Sequence, residues 1–479
     1  MKRLSTVLIC IVLLIAAIPP AAADTAAEDL TDRCSFDFGS KKETGIDPRF
    51  FGKTVVTLKA GASFSFSWDE PLPDARLCLQ WRNEPRDVAL LQYGADGTLL
   101  SEETLPPYPE TVSPLLPDAR RAVIRNGAFD LRMQAAAVYG AGELPEPFHD
   151  WQELPAHVDY LLIATHPDDD VLYLGSIVPT YGAERGYVGT IVFVTNQNRD
   201  RTSEAENGAW AMGLRVRPVF LGMRDVYRGA TKSQRKLFPY DELLLRTVRV
   251  YRQLRPLVVF AQDLNGEYGH WQHKSTAKAA REAFALAADP TFDPESAEEY
   301  GTWQVQKLFL HLYRQNAVLI DAHTPLAAFD GRDAYEVACD AFLKHRTQQR
   351  YHFRVTRDDG SYAFNRFGMA EGVVPVGEDV FDNIDETLFC GYVAPPTPEP
   401  SATPEPGATP KSTEPPLPTT RPTQMPAAPS EPPSPVKADP APLLRIAAIT
   451  VLAAIVTGVA AYFWKKRRNE KHPPEDREP

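Results

Sequence analysis

Two short groups of histidine and carboxylate residues carry the chemistry that this sequence can offer. The segment His166–Asp170 reads HPDDD and follows the strand-like run Val158–Ala164, and the segment His270–His273 reads HWQH and lies further along the chain. Each group follows a run patterned like a buried strand, and sites in open α/β sheets are usually built at such strand ends. Together the two groups suggest a metal site.

Zinc suits these residue types. In a hydrolytic site it takes three protein ligands from His, Asp or Glu and keeps an open position for water, while a separate carboxylate accepts the water's proton. A tight turn after Ala164 would let His166 and Asp169 face one point while Asp168 stays free nearby. One histidine of His270–His273 would supply the third ligand, and the other would donate a hydrogen bond to a developing oxyanion. The residues alone leave open which histidine has which role.

Plainer explanations exist for each group taken singly. The three acidic residues Asp168–Asp170 would also serve as the N-cap and first-turn acids of a helix that begins near Val171. A His-x-x-His pair alone is more often a surface or core pair than a metal site. The occurrence of both groups after predicted strands favours a catalytic site over these explanations.

The paired motifs resemble those of a known family, the PIG-L/LmbE-like zinc-dependent N-acetylglucosamine de-N-acetylases. The segment Thr165–Asp170 is similar to the family's Ala-His-Pro-Asp-Asp-Glu pattern, and Asn265–His273 contains its Gly-His-x-x-His element. The likeness runs from about residue 158 to about residue 348. It implies an α/β fold and a zinc-dependent amide hydrolase.

The resemblance also implies a role for each residue of the two motifs. His166, Asp169 and His273 would bind zinc. Asp168 would be the general base, and His270 would steady the oxyanion.

Weaker matches lie outside the two motifs. The segments 201–204 and 221–225 resemble family elements in which an Arg and an Asp contact the sugar, which points to Arg201 and Asp225 as substrate-binding residues. The segment 345–348 resembles a late His-x-Ser-Gln element, for which we expect a mainly structural role.

Three positions depart from the family pattern. Asp170 replaces the usual Glu and shortens a side chain that we expect at the rim of the site. Thr165 replaces a small Ala, with little expected effect. Gln272 stands where many members carry Asp, so a carboxylate that would orient the neighbouring histidines is missing.

The sequence before residue 394 is long enough for two domains. Residues 34–147 contain short strand-like runs separated by turn residues, which is typical of an all-β sandwich, here jelly-roll-like. Carbohydrate binding and a purely structural role are both open for this part. Residues 157–393, the expected deacetylase domain, alternate strand and helix patterns, with helices expected near 171–181 and 203–214. That rhythm predicts an α/β fold with a Rossmann-like, mostly parallel sheet and helices on both faces.

The two ends of the chain predict its location. Residues 1–23 have the basic start, apolar middle and small-residue end of a secretory signal peptide. Residues 394–442 are rich in Pro, Thr, Ser and Glu, which predicts a disordered stalk. Residues 446–464 are apolar and long enough for one transmembrane helix, and the basic residues that follow place the tail 465–479 in the cytoplasm. The expected location is the cell membrane, single-pass, with the folded domains outside.

The cysteines and the net charge indicate which covalent links and which binding partners to expect. Of five cysteines, four remain if the signal peptide is removed, and their grouping predicts Cys34–Cys78 and Cys339–Cys390 disulfides, with four reduced thiols as the alternative. The net charge of −12 argues against a nucleic-acid partner.

These observations predict a zinc hydrolase that removes the acetyl group from an N-acetylated sugar or cell-wall glycan outside the cell. Two alternatives stay open. One is an amidase of the same fold whose substrate is not a sugar. The other is a surface glycan-binding protein whose zinc site is only structural.

Overall fold

The computed structural model describes residues 26–38, 49, 55–196, 198–226 and 231–391. The predicted signal peptide 1–23, stalk 394–442, transmembrane helix 446–464 and tail 465–479 lie outside these residues, so they stay predictions. Among the helices that the structure describes, none is both long and apolar enough to cross a membrane.

The N-terminal part contains two antiparallel sheets, as the sandwich prediction expects. One sheet has the strand order β1-β3-β8-β5-β6 and the other has β2-β9-β4-β7. The strands are β1 (Ser35–Asp37), β2 (Val56–Leu58), β3 (Ser63–Ser67), β4 (Arg76–Trp81), β5 (Ala89–Gly94), β6 (Leu99–Thr104), β7 (Glu110–Pro114), β8 (Ala119–Arg125) and β9 (Leu131–Tyr139). Alternate side chains of both sheets, such as Phe64, Phe66, Leu77 and Leu79, share one buried core.

The second part is an α/β unit built on one seven-stranded sheet with the order β12-β11-β10-β13-β14-β16-β15. Its strands are β10 (Tyr160–Ala164), β11 (Gly189–Thr195), β12 (Val219–Met223), β13 (Val258–Ala261), β14 (Lys307–His311), β15 (Ala317–Leu319) and β16 (Arg366–Gly372). Strands β10 to β14 are parallel, whereas β16 runs antiparallel to β14 and β15. The predicted mostly parallel sheet is therefore present, with an antiparallel edge that the strand pattern did not indicate.

Helices cover both faces of this sheet. They are α1 (Asp169–Leu172), α2 (Arg199–Ala211), α3 (Lys232–Arg235), α4 (Tyr240–Leu254), α5 (Trp271–Leu286), α6 (Pro294–Tyr300) and α7 (Ala334–Lys344). Leu162 of β10 packs with α1, α2 and α7 on one face, while Leu161 and Ile163 pack with α4 and α5 on the other. Because neighbouring strand residues point to opposite faces, a strand buried on both sides must be apolar throughout.

Two predicted helices differ from the observed ones. The helix expected over Val171–Tyr181 is only the short α1, followed by a π-helical segment at Val178–Glu184. The helix expected from Ser203 begins earlier, at Arg199, because the Asn198 side chain accepts a hydrogen bond from the backbone N–H of Arg201 and caps the first turn.

The predicted disulfides are wrong, since Cys34, Cys78, Cys339 and Cys390 are all free thiols. Cys78 lies in the middle of β4, buried in an apolar cluster, whereas the Cys34 thiol faces the carbonyl of Leu30. Cys339 lies on α7, and the Cys390 sulfur lies 3.4 Å from the carbonyl oxygen of His157. Cysteines grouped along the chain thus belong to separate places in the fold.

Candidate active site

The two histidine motifs meet at one point of the sheet edge. The chain runs β10, β11, β12 in one direction across the sheet and then returns to β13 on the other side of β10. Ligands of open α/β sheets bind outside the carboxyl ends of the strands at such a reversal. The segment His166–Asp170 follows β10 and His270–His273 follows β13, so the predicted motifs occupy the two sides of that crevice.

Three side chains direct donor atoms at a common point. The Nδ1 atom of His166 lies 3.0 Å from Oδ2 of Asp169 and 3.0 Å from Nε2 of His273. Nε2 of His273 lies 3.3 Å from the same Asp169 oxygen. All three side chains are buried. These are the three residues that the family resemblance implies as ligands.

The donor set fits a zinc ion. Ligand bonds of about 2.0–2.1 Å in a tetrahedral site separate the ligand atoms by a little over 3 Å, which is the spacing found between these three atoms. At this spacing the lone pairs of two imidazole nitrogens and one carboxylate oxygen repel one another, and a bound cation would offset that repulsion. His270 also brings a ring nitrogen within 4.8 Å of those of His166 and His273.

The other nitrogen of His166 has its own acceptors. Nε2 lies 3.3 Å from Oε1 of Gln272, which is held in turn by the backbone N–H of Val226, and 3.6 Å from Oδ1 of Asp225. A hydrogen bond on this side leaves Nδ1 free to bind metal. Position 272 carries no carboxylate, as the sequence led us to expect, and the amide oxygen of Gln272 contacts His166 instead, with the Asp225 carboxylate 3.6 Å away.

His273 is oriented by a carboxylate that the sequence motifs did not single out. Nδ1 of His273 lies 2.8 Å from Oε2 of Glu267, and the other oxygen of Glu267 lies 2.7 Å from Nδ1 of His311. All three side chains are fully buried. Burial opposes ionisation, yet the two histidines lower the pKa of Glu267 to about 2. The only sequence signal was a carboxylate inside the second motif, six residues before His273.

A glycine makes this turn possible. Gly266 has a φ of +67°, and a Cβ atom there would lie 2.3 Å from the carbonyl oxygen of His270. Only glycine adopts this conformation in so little space. The turn brings Glu267 beneath His273 and starts α5 immediately after His270.

One carboxyl oxygen of Asp168 faces a cation. Its Oδ1 accepts a hydrogen bond of 3.1 Å from Nη2 of Arg201, which also donates to the carbonyl of Pro167 at 2.8 Å. Burial raises the pKa of Asp168 above its usual range, and the Arg201 guanidinium opposes that shift. The Asp168 side chain makes no cap hydrogen bond to α1 among the described residues, so the capping explanation fails for it.

His270 offers a ring nitrogen to the site. Its Nδ1 is buried and has no hydrogen-bond partner among the described residues. Burial and the nearby His166 lower the pKa of His270 to about 3. Because a ring nitrogen of His270 lies within 4.8 Å of those of His166 and His273 and the residue lines the cavity, His270 is placed to contact a bound oxygen.

Asp170 does not lie at the rim, as the sequence led us to expect. It is fully buried, and both of its carboxyl oxygens lack a partner among the described residues. Burial and the adjacent Asp168 raise its pKa well above the usual range, which favours a neutral carboxyl group.

The donor point opens into a cavity of about 480 Å³, which is within the usual size of small-molecule sites. The cavity contains all of the predicted site residues except His273, which lies beneath it. Its lining comprises His166, Asp168, Asp169, Leu172, Tyr173, Asn198, Arg201, Asp225, Tyr268, His270, Thr347, Gln348, Arg350, Tyr351 and Phe353. Six of these fifteen residues were predicted as site residues and nine were not, among them Tyr268, Tyr351 and Phe353.

The segment around Thr347 is tied to α2. Glu204 is buried and accepts hydrogen bonds from the backbone N–H of Thr347 at 2.8 Å and from its hydroxyl at 2.6 Å. His345 is buried against α2 near Gly208. The predicted structural role of 345–348 therefore takes the form of a wall of the cavity held in place by α2.

Comparison with known proteins agrees with the resemblance that the motifs suggest. Residues 161–284 match the PIG-L family profile, described as GlcNAc-PI de-N-acetylase. The chain therefore carries a PIG-L family domain, which spans β10 to α5 and contains the whole predicted ligand set. The family prediction is confirmed, and the predicted zinc dependence with it, while the roles of single residues stay predictions.

Relatives of known name cover this domain. The chain is 29% identical over 178 residues to a 1D-myo-inositol 2-acetamido-2-deoxy-alpha-D-glucopyranoside deacetylase from Catenulispora acidiphila, covering 31% of this chain and 54% of the relative. It is 25% identical over 299 residues to a deacetylase of the same name from Frankia casuarinae, covering 49% of this chain and 94% of the relative. For the first relative, the chain thus spans about half the length of the protein that it matches.

Among solved structures, the N,N'-diacetylchitobiose deacetylase from Pyrococcus horikoshii resembles this chain over 42% of this chain and 72% of the deacetylase chain. The sequence identity is 22% and the TM-score is 0.32.

Proposed function

We propose that this protein is a zinc-dependent hydrolase that removes the N-acetyl group from an N-acetylglucosamine-type sugar. The observation that carries the proposal is the convergence of His166, Asp169 and His273 on one point at the floor of an open cavity, with Asp168 beside it. The family match and the names of the relatives support the same chemistry.

The chain's own residues supply the acid–base steps. His166, Asp169 and His273 would hold a zinc ion, which would supply the Lewis acidity that activates water and polarises the amide carbonyl. Asp168 accepts the proton of the attacking water and returns it to the leaving amine, and Arg201 holds the Asp168 carboxylate in place. His270 lines the cavity beside the donor point, from where a ring nitrogen would contact the developing oxyanion.

Arg201 and Asp225 retain their proposed contact with the sugar, because both line the cavity. Each also has a second contact, Arg201 with Asp168 and Asp225 with His166. Replacement of either should therefore change catalysis as well as binding.

Acetate release tests this proposal. The purified protein loaded with zinc should release acetate from N-acetylglucosamine, chitooligosaccharides or acetylated wall fragments, and a chelator should stop the release until zinc is returned. Absence of release from every acetylated sugar, with release from a non-sugar amide, would replace the proposal with the amidase alternative.

An open cavity beside the donor point argues against the structural-zinc alternative, since structural zinc sites are closed by four protein ligands. Glycan binding without any acetate release from the zinc-loaded protein would favour that alternative instead.

We further propose a location at the cell membrane, single-pass, with the catalytic part outside and a wall glycan as substrate. The proposal is based on the sequence features of residues 1–23, 394–442 and 446–464, which lie outside the described residues. The full chain should fractionate with membranes and be sensitive to external protease, and a chain without 446–479 should be released. Recovery of the full chain in the soluble fraction would contradict this location.

A further inference from the structure

Three large aromatic side chains lie exposed at the mouth of the cavity. Tyr268, Tyr351 and Phe353 line the cavity and are 48%, 40% and 37% exposed. The ring centroids of Tyr268 and Phe353 are 5.9 Å apart, and those of Tyr351 and Phe353 are 6.0 Å apart. We call these three residues the aromatic wall. Contiguous exposed apolar groups on a soluble protein mark a binding surface.

The aromatic wall leads outward from the reacting groups. The Tyr268 ring lies 5.6 Å from that of His270, whereas Tyr351 is the member furthest along this series of contacts. The rings are tilted by 34° and 51° relative to their neighbours, so they do not stack on one another, and all three line the cavity. Tyr351 and Phe353 also lie outside the part of the chain that matches the family profile.

The wall has a fixed support. The backbone N–H of Tyr351 donates to the carbonyl of Gln348 at 2.9 Å, and the neighbouring Thr347 is held by Glu204 of α2. The guanidinium of Arg350 lies 5.0 Å from the centre of the Tyr351 ring and lines the same cavity. An apolar ring face therefore stands beside a hydrogen-bond donor.

A pyranose ring matches this combination. It presents C–H groups on its faces, which pack on aromatic rings, and hydroxyl groups at its edge, which accept hydrogen bonds from a guanidinium. We propose that Tyr351 and Phe353 form a subsite for a second sugar ring, next to the one that loses its acetyl group. The preferred substrate is then an oligosaccharide, and a free monosaccharide is a poorer one. This inference rests on the proposed function, because it assumes that the acetylated sugar occupies the cavity floor.

Kinetics on two sugars test the subsite. The full zinc-loaded chain is compared with the double variant Tyr351→Ala/Phe353→Ala on N-acetylglucosamine and on N,N'-diacetylchitobiose. Loss of two stacking faces should lower kcat/KM for the disaccharide about tenfold or more, mainly through KM, and change that for the monosaccharide by less than about twofold. Equal losses on both sugars, or no loss on either, would overturn the inference.

Two variants serve as controls. Tyr351→Phe keeps the ring face and should keep the affinity for the disaccharide. Phe129→Ala removes an aromatic ring of the sandwich that is 61% exposed and does not line the cavity. This variant should leave kcat/KM unchanged for both sugars. A loss in Phe129→Ala equal to that of the double variant would mean that the effect is not specific to the wall.

Calorimetry separates this inference from the proposed activity. If the wild-type chain deacetylates neither sugar, binding of both sugars is measured directly. Tighter binding of the disaccharide that is lost in the double variant would keep the subsite while the proposed reaction fails. Equal binding of the two sugars, or binding of neither, would overturn the subsite.

Discussion

Asp168 and Asp169 are adjacent and chemically identical, yet their side chains contact different neighbours. Asp169 accepts from the backbone N–H of His166 at 2.7 Å and faces two imidazoles, and although burial opposes ionisation, these imidazoles lower its pKa well below the usual range. Asp168 faces Arg201. One aspartate is therefore placed as a ligand and the other as a base.

The two aspartates should separate metal binding from catalysis. Asp169→Ala removes a ligand and should lower zinc content, whereas Asp168→Asn should keep zinc and lose activity about a hundredfold or more, because an amide cannot accept the proton. Metal content by plasma spectrometry and acetate release on each variant are the measurements. The assigned roles would be wrong if Asp168→Asn kept full activity. They would also be wrong if Asp168→Asn lost zinc while Asp169→Ala kept it.

Glu267 should affect zinc binding without contacting zinc. Glu267→Gln replaces a carboxylate that accepts from His273 with an amide, which weakens the orientation and basicity of the ligand. Loss of such a partner typically costs about 10- to 100-fold in metal affinity or activity. Zinc affinity by competition with a chelator dye is the measurement. Glu371→Gln, which removes a carboxylate paired with Arg281 at the surface, is the control and should leave zinc affinity unchanged.

At the scale of an element, α2 connects three parts of the site. Its first turn carries Arg201, which holds Asp168, its second carries Glu204, which holds Thr347, and its third packs against His345 through Gly208. A small shift of this helix would therefore move both the base and one wall of the cavity.

Gly208→Ala should destabilise the protein although alanine favours helices. The added Cβ would lie 2.7 Å from Nε2 of His345, whose ring is fully buried. Such overpacking costs about 1–3 kcal/mol, against a gain of up to about 1 kcal/mol from helix propensity. Chemical denaturation measures the difference. In a double-mutant cycle with His345→Ala the two effects should not add. A stabilised Gly208→Ala variant would show that the ring moves freely.

At the scale of the whole molecule, the sandwich packs against the helix that holds the base. Glu110 of β7 is buried, and its side chain accepts from Gln80 at 2.9 Å and from Ser203 of α2 at 3.2 Å. Burial and the Glu206 carboxylate raise the pKa of Glu110 to about 7, while Arg199 at 3.5 Å opposes the shift. The sandwich therefore contributes an ionisable group to the boundary between the two parts.

This raised pKa makes folding depend on pH. An ordinary Glu titrates at about 4.3, so the folded state holds an extra proton between that value and about 7. Glu110 thus favours the fold at low pH, and this contribution is lost as pH rises through 7. The free energy of unfolding should therefore fall as pH rises, and Glu110→Gln should remove up to about 3 kcal/mol of that fall. Denaturation at pH 5 and pH 8 is the measurement, with the exposed Glu102→Gln as control. Identical pH dependence in wild type and Glu110→Gln would contradict the shift.

Much of the site followed from the sequence because its residues are local. His166 and Asp169 lie in one turn, so their spacing alone predicts a shared ligand point, and the structure places their atoms 3.0 Å apart. The disulfide prediction failed because it used separation along the chain, while Cys34 and Cys78 lie in different surroundings. The stalk and membrane anchor stay predictions.

The sequence by itself determined the fold class and the pairing of His166 with Asp169, because strand and helix periodicity and adjacent motif residues are properties of short segments. The residues alone left open which histidine of the second motif is the third ligand, and the family resemblance pointed to His273. Only the tertiary structure decided the partners that come from elsewhere in the chain. Glu267 pairs with both His273 and His311, Glu204 holds Thr347, and the aromatic wall joins residues 268 and 351–353. Such contacts depend on how the sheet brings distant loops to one edge, and no local pattern encodes that.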